Sequence, residues 1–458
     1  MTTYAAAALL VALSQTPPVL TLDDALARAA EANLDLAAAR ARLDQARSEL
    51  SKAWSLQLPQ ISAGASYTRN EHEASIGLPT GFWVRDTGAP QGPPAGGAVP
   101  GAPTTFAVIP SGASETVLQK RDQVGAQVEA RQALLAPQLW FAIDAAGLGA
   151  RAAERGLAAA REEVLFGVAQ AYYGMASLAE GLDVSKRLLE IARRQEGDAR
   201  TRWRAGTVPK VALLRAEIDR ARAEQDVVRA ENAHAAARVG LALLLDRAPD
   251  FEVAPPPEPA PPGEAGALEQ AALRDRPDLQ AARLSESSAA ALRRSAAMRY
   301  LPSLGAFARW QVSNVRGFGG EYDAWAAGVA LSLTVFDGGL REAEVRQAGA
   351  RVAEAAANRR NAEARVRAEV TRALLDLGSA RASAAKAREQ RDLAAENLRL
   401  VSVSAQAGAA TAVEQADATA ALRNAEISVT TETLGVQLAA LRVMKAAGAF
   451  ERLARGQG

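Results

Sequence analysis

The sequence predicts a mostly α protein with a smaller β section, built from long antiparallel helical hairpins and four strands per chain. Three observations predict it. One long segment occurs twice, the hydrophobic period switches from near 3.6 to 2 at matched places in both copies, and Gly or Pro marks the switches. The first copy reads Asn33-Leu-Asp-Leu-Ala-Ala-Ala-Arg through Leu58-Pro59 to Tyr67, and the second Arg276-Pro-Asp-Leu-Gln-Ala-Ala-Arg through Leu301-Pro302 to Trp310. The offset is 243 residues from Asp35 to Asp278 and again from Leu58 to Leu301. A strand pair of this size does not form a stable sheet alone. Its repetition argues for assembly, of strands into a barrel and of helices into a tube.

From Asp23 to about Leu56 the pattern is helical, with leucines punctuating an Ala/Arg/Glu background. Pro59 ends it, because proline has no N–H to donate and pushes the residue before it to extended geometry. Then Ile61, Ala63, Ala65 and Tyr67 alternate with Ser62, Gly64, Ser66 and Thr68. In the second copy Leu304, Ala306, Ala308, Trp310 and Val312 alternate with Gly305, Phe307, Arg309 and Gln311, Phe307 being the one misfit. Returning strands follow: Val124, Ala126, Val128 and Ala130 in one copy, Trp325, Ala327, Val329 and Leu331 in the other. Between the strands, residues 70–123 are dense in Gly, Pro, Thr and Ser and read as a long exposed loop; its counterpart, about 313–323, is short. Strands with one apolar face ending in aromatics suit a membrane β-barrel, although a soluble sheet with one buried face gives the same alternation. The agreement of faces between copies favours the barrel.

After Pro137 and after Gly338-Gly339 the helical period resumes for about 65 residues, or roughly 100 Å of helix at 1.5 Å per residue. Val168, Met175, Leu182 and Leu189 recur every seven residues, a coiled-coil seam. Both helices stop at a glycine, in Ala205-Gly206-Thr207 and Ala407-Gly408-Ala409, and helices return over about 210–246 and 412–447. Each copy therefore ends in a helical hairpin with a glycine tip. The expected organisation is a signal peptide over 1–15, a first repeat over 16–247, a Pro-rich stiff linker over 248–267, a second repeat over 268–447 and a tail over 448–458. The leader reading rests on the short apolar run Tyr4–Leu13, at whose end Ala12-Leu13-Ser14 resembles a small-x-small cleavage site; an apolar N-terminal tail of a cytosolic protein is the alternative.

Composition removes several classes of function. Lys and Arg number 53 against 52 Asp and Glu, so no net field points to nucleic acid or an acidic partner. Cysteine is absent, which excludes disulfides, thiolate metal sites and a cysteine nucleophile. The only histidines are His72, in a predicted loop, and His234, on a helix face, with no partners that would suggest a metal or a catalytic role. Walker A, HExxH and GxSxG signatures are missing, and Gly317-Phe-Gly319-Gly320 is too short for a dinucleotide loop. No enzyme, cofactor or metal site is expected. Nor is there an apolar run of about 18 residues for a transmembrane helix, so any crossing falls to strands.

Taken together, Leu58-Pro59 and Leu301-Pro302 entering strands, Val335-Phe336-Asp337-Gly338-Gly339 leaving one, and the two glycine-centred turns resemble the TolC family of outer-membrane efflux proteins. The resemblance implies a homotrimer whose four strands per chain close a 12-stranded outer-membrane β-barrel, continued by a trimeric periplasmic α-barrel. It implies passive conduction in a tripartite efflux or type I secretion system. The tips Ala205, Gly206, Thr207, Ala407, Gly408 and Ala409 would then dock a periplasmic adaptor coupled to an inner-membrane pump. It further implies a pore constriction at Glu414 and Asp417, where three chains would place a ring of carboxylates that attracts cations; an ordinary acidic helix start reads the same residues without a ring. Ala405, Ala410 and Ala212 stand where family members often carry an aromatic, a basic and an acidic residue. Two other classes stay open: a periplasmic adaptor, which also carries a helical hairpin, and a soluble coiled-coil scaffold.

Overall fold

The computed structural model describes residues 18–79, 82–86, 106–110, 112–259, 263–316, 321–407, 409–448 and 450. The predicted leader, Gly408 and most of the predicted tail lie outside the described residues. In chain order the elements are β1 (Val19–Leu20), α1 (Leu22–Ala32), α2 (Leu34–Ser55), β2 (Gln60–Arg69), β3 (Ala74–Pro79), β4 (Phe82–Asp86), β5 (Phe106–Pro110), β6 (Ala113–Gln119) and β7 (Asp122–Leu135). They continue as α3 (Pro137–Arg204), α4 (Lys210–Leu244), β8 (Glu252–Val253), α5 (Ala265–Asp275), α6 (Pro277–Met298), β9 (Ser303–Ser313), β10 (Asp323–Ser332), α7 (Leu340–Gln406) and α8 (Ala412–Ala446). The two long helices run 68 and 67 residues. Contacts divide the chain into a helical unit, drawn from residues up to Leu50, from Asp144–Ala291 and from Gln347 onward, and a strand unit drawn from Ser51–Ile143 and Leu292–Arg346. Each unit takes residues from both repeats.

In the helical unit the expected single helix over 23–56 is two helices. Asn33 breaks it: the backbone there is extended, and its Oδ1 accepts from the amides of Asp35 (2.9 Å) and Leu36 (3.2 Å), capping α2. Its Nδ2 donates to the Leu244 carbonyl at 3.0 Å, so the buried amide is satisfied on both sides. At the same 243-residue offset the second copy breaks at Arg276, before Pro277, which is tolerated only in the first helical turn.

The seam residues Val168, Met175 and Leu189 are buried and Leu182 is half-buried. The main core gathers Leu26, Leu165, Tyr172, Tyr173, Leu241, Phe251 and Phe450. Apolar burial of this kind stabilises by roughly 1.5–3 kcal/mol per large side chain. Two tyrosines fix the connector to this core. The Tyr172 hydroxyl is shared between the carbonyls of Leu20 and Ala254 at 2.9 Å each, and Tyr173 donates to Pro257 at 2.7 Å. Between Leu20 and Ala254 the connector pairs with the lead-in as a short parallel bridge, β1 with β8. His234 is a buried residue on α4. Its Nε2 lies 3.4 Å from the Glu252 carboxylate, within ion-pair reach but poorly aimed for a hydrogen bond. His72 is exposed.

In the strand unit, four strands form one antiparallel sheet in the order β10-β9-β7-β2. Residues 70–123, expected as a loop, contain two further strand pairs, β3 with β6 and β4 with β5. Among the described residues no helix is long and apolar enough to cross a membrane.

Candidate functional site

The ladder register decides which side chains share a face, because side chains alternate across a strand. Ile61 lies opposite Ala130, Ala130 opposite Ala308, and Ala308 opposite Ala327. One level on, Ala63, Val128, Trp310 and Trp325 stand in a row. This face is apolar across all four strands and exposed: Ile61 at 74% and Trp325 at 78%. At its far end Tyr67 donates to Asp122 (2.8 Å) and Trp310 to Asp323 (3.3 Å), so aromatic rings with polar tips rim the apolar band. Ten residues tilted by about 40° span roughly 25 Å, the height of a lipid-facing band in an outer-membrane barrel. The opposite face carries Gln60, Ser62, Gln127, Glu129, Arg131, Arg309 and Gln311.

Phe307, the misfit of the alternation, sits on that polar face. Its cross-strand partner is Gly328, and a Cβ built there would come within 3.2 Å of the ring. The glycine makes room for the ring, so the misfit is resolved by the neighbouring strand.

Both ladder edges, on β2 and on β10, lack a partner strand among the described residues. The strand directions alternate across the sheet, so β2 of another copy would meet β10 antiparallel and continue the same pattern.

At the hairpin end, Gly206 has φ +73°. Its amide donates to Trp203 O (2.9 Å) and the Thr207 amide to Arg202 O (3.0 Å), the paired bonds that close a helix through a left-handed residue. In the second hairpin the Ala409 amide donates to Ser404 O at 2.8 Å, the equivalent of the Thr207 bond at an offset of 202. Ala205, Gly206, Thr207, Ala407 and Ala409 are exposed; Gly408 lies outside the described residues. The Arg202 guanidinium reaches across to the Ala405 carbonyl at 3.2 Å, tying the first tip to the second.

Glu414 and Asp417 are both exposed, one turn apart on α8. Glu414 folds back on its own helix start: its carboxylate accepts from the Thr411 amide (2.7 Å) and hydroxyl (2.9 Å), while Thr411 Oγ1 accepts from the Glu414 amide (3.2 Å). The backbone hydrogen bond and then the hydroxyl hold its carboxyl below the usual glutamate range. Asp417 makes no hydrogen bond or ion pair among the described residues. The sequence motif Thr411-x-x-Glu414 is itself a capping-box signature, so this contact was open to sequence reading. Arg202 and Ala405 carried no such signal.

The two tips differ in charge. Residues 200–216 hold Arg200, Arg202, Arg204, Lys210 and Arg215 and no acid, whereas the equivalent residues 402–418 hold Glu414 and Asp417 and no base. No cluster of potential metal ligands occurs among the described residues.

Residues 268–449 match the family model of outer membrane efflux proteins. This segment is similar to an outer membrane efflux protein domain. It contains α5 to α8, β9 and β10, and so both Glu414 and Asp417. Protein CyaE of Bordetella pertussis is 32% identical over 231 residues, 48% of this chain and 48% of that protein. The match thus spans about half the length of the curated relative. The outer membrane protein VceC of Vibrio cholerae superposes with a TM-score of 0.73 at 20% identity, over 93% of this chain and 96% of that one. The CmeC outer membrane channel of Campylobacter jejuni gives 0.73 at 16% identity, over 95% and 89%. The chain therefore has the fold of these outer-membrane proteins, and the TolC-family resemblance read from the repeats stands. The matched segment covers the expected second repeat, 268–447, and runs two residues beyond it. The first repeat, which carries the strand insert and the basic tip, shares its fold.

Proposed function

We propose that this chain is the outer-membrane channel subunit of a tripartite efflux or type I secretion system, a passive conduit for exported small molecules or proteins. Three copies close a 12-stranded barrel in outer-membrane lipid and a periplasmic α-barrel, whose tips engage an adaptor protein coupled to an inner-membrane pump. One observation carries this reading: a four-stranded sheet with one exposed apolar face, one polar face and two open edges. Bilayer hydrocarbon admits strands only where every edge is closed, and ring closure by further copies supplies the missing partners. The apolar face then meets lipid and the polar face lines water, which accounts for Arg131, Glu129 and Arg309 in the strands.

The tips Ala205, Gly206, Thr207, Ala407, Gly408 and Ala409 are the adaptor contacts in this reading. Glu414 and Asp417 form the constriction, with Asp417 the carboxylate free to face the pore. A periplasmic adaptor or coiled-coil scaffold would have no use for an exposed apolar sheet of this height. The test is the protein mass of the particle extracted from outer membranes in detergent, read by light scattering on a sizing column. Three chains per particle, absent from the soluble fraction, is the expected result; a detergent-independent monomer or dimer overturns it.

A further inference from the structure

We propose that the polar face of the four-stranded sheet carries an anion-favouring site centred on Arg309. It rests on the channel reading above and deepens it, because it assigns the β section of the conduit a preference opposite in sign to that of the carboxylates at the hairpin end.

Arg309 is exposed in the middle of β9, with Glu129 as its cross-strand neighbour. That carboxylate is already engaged by Arg131, whose Nε lies 2.6 Å from Glu129 Oε1. Arg309 itself has no ion pair among the described residues. Two guanidiniums therefore stand against one carboxylate, which only Arg131 engages, and a guanidinium does not shed its charge at any working pH. The positive excess is fixed by the sequence and not by titration. A hollow of about 620 Å³ on this unit has Gln60, Glu129, Arg131, Phe307 and Arg309 among its lining. The Phe307 ring, seated over Gly328, places an apolar surface beside the guanidiniums. A forked donor next to an aromatic plane suits an organic anion, a carboxylate, sulfonate or phosphate with an apolar body. Closure by three copies repeats the site around one axis, in a water-filled space bounded by low-dielectric walls where like charges add their fields.

The absence of cysteine allows an unambiguous test. Single Gln311→Cys and Gln127→Cys chains, whose positions face each other on the polar side beside Arg309, are reacted in outer-membrane vesicles with sulfonatoethyl and trimethylammonioethyl methanethiosulfonates. The anionic reagent should react faster than its electrostatics-free chemistry dictates. Adding Arg309→Gln should lower the anion-to-cation rate ratio by about sevenfold, the effect on two oppositely charged reagents of one unit charge roughly 7 Å away in water, and Arg309→Lys should retain it. A ratio indifferent to Arg309→Gln at both positions overturns the inference while leaving the channel intact. Ala308→Cys, on the apolar face, separates the two failures: if position 308 reacts and 311 does not, the faces are reversed and the channel reading falls with the inference.

Discussion

Thr411 and Glu414 hold each other's backbone amides, Thr411 N–H to Glu414 at 2.7 Å and Glu414 N–H to Thr411 at 3.2 Å. In the proposed constriction the same carboxylate would both start a helix and charge a pore, and the two roles separate by substitution. Glutamine can close a capping box without charge. Glu414→Gln should leave the α8 start intact, whereas Glu414→Ala should loosen it, read as faster amide exchange over the first turn of α8. In bilayer recordings, Glu414→Gln with Asp417→Asn should reduce cation preference. An unchanged reversal potential would sink the constriction. Because the folded-state pKa of Glu414 is lowered, the cap's contribution is present above the ordinary value of 4.5 and is lost as pH falls below it.

Gly206→Ala should cost about 1 kcal/mol through its positive φ alone, since a Cβ there meets nothing within 4 Å. Gly206→Trp adds bulk directed into open space. Export should be lost while protein level and detergent-extracted mass stay normal. Export that persists with normal levels removes the docking role from this tip.

Tyr172→Phe removes a hydroxyl shared by two carbonyls and should cost about 1 kcal/mol, measured by chemical unfolding in detergent. Burial pushes both the Tyr172 and Tyr173 hydroxyls up to about 12 from 10.0. The neutral forms are favoured in the fold, so their stabilisation is whole below pH 10 and lost as pH rises toward 12. Replacing both with Phe should flatten the alkaline arm of the stability curve.

Gly328→Val should displace the Phe307 ring and cost about 1–3 kcal/mol by overpacking. Phe307→Ala in the same chain should recover most of it. Independent, additive losses in that double-mutant cycle would mean the ring does not rest on the glycine.

The repeats, the period switch and the proline and glycine punctuation made both hairpins and all four sheet strands legible, because each is a local signal. Asn33 was not legible as a break. Its apolar flanks continue the helical period, and beside its local cap of α2 the side chain is held by the Leu244 carbonyl, 211 residues away. The strands within 70–123 were hidden by Gly and Pro content, which marks turns but does not prevent short pairs between them. Tyr172 and Tyr173 lie between the seam residues Val168 and Met175, and their hydrogen bonds depend on where the connector returns. At the predicted constriction the residues were visible, but the engagement of Glu414 by its own cap makes Asp417 the less encumbered carboxylate.

In the proposed three-copy ring, the rims of β2 and β10, unpaired among the described residues, have a genetic consequence. A ring that closes only when every neighbour offers a sound rim is vulnerable to a single faulty member. A subunit with proline placed in β10 still presents an intact β2, so it can enter a ring and leave it open. Expressed in equal amount with the normal chain, it would leave about one threefold ring in eight wholly normal, and the defect would behave as dominant.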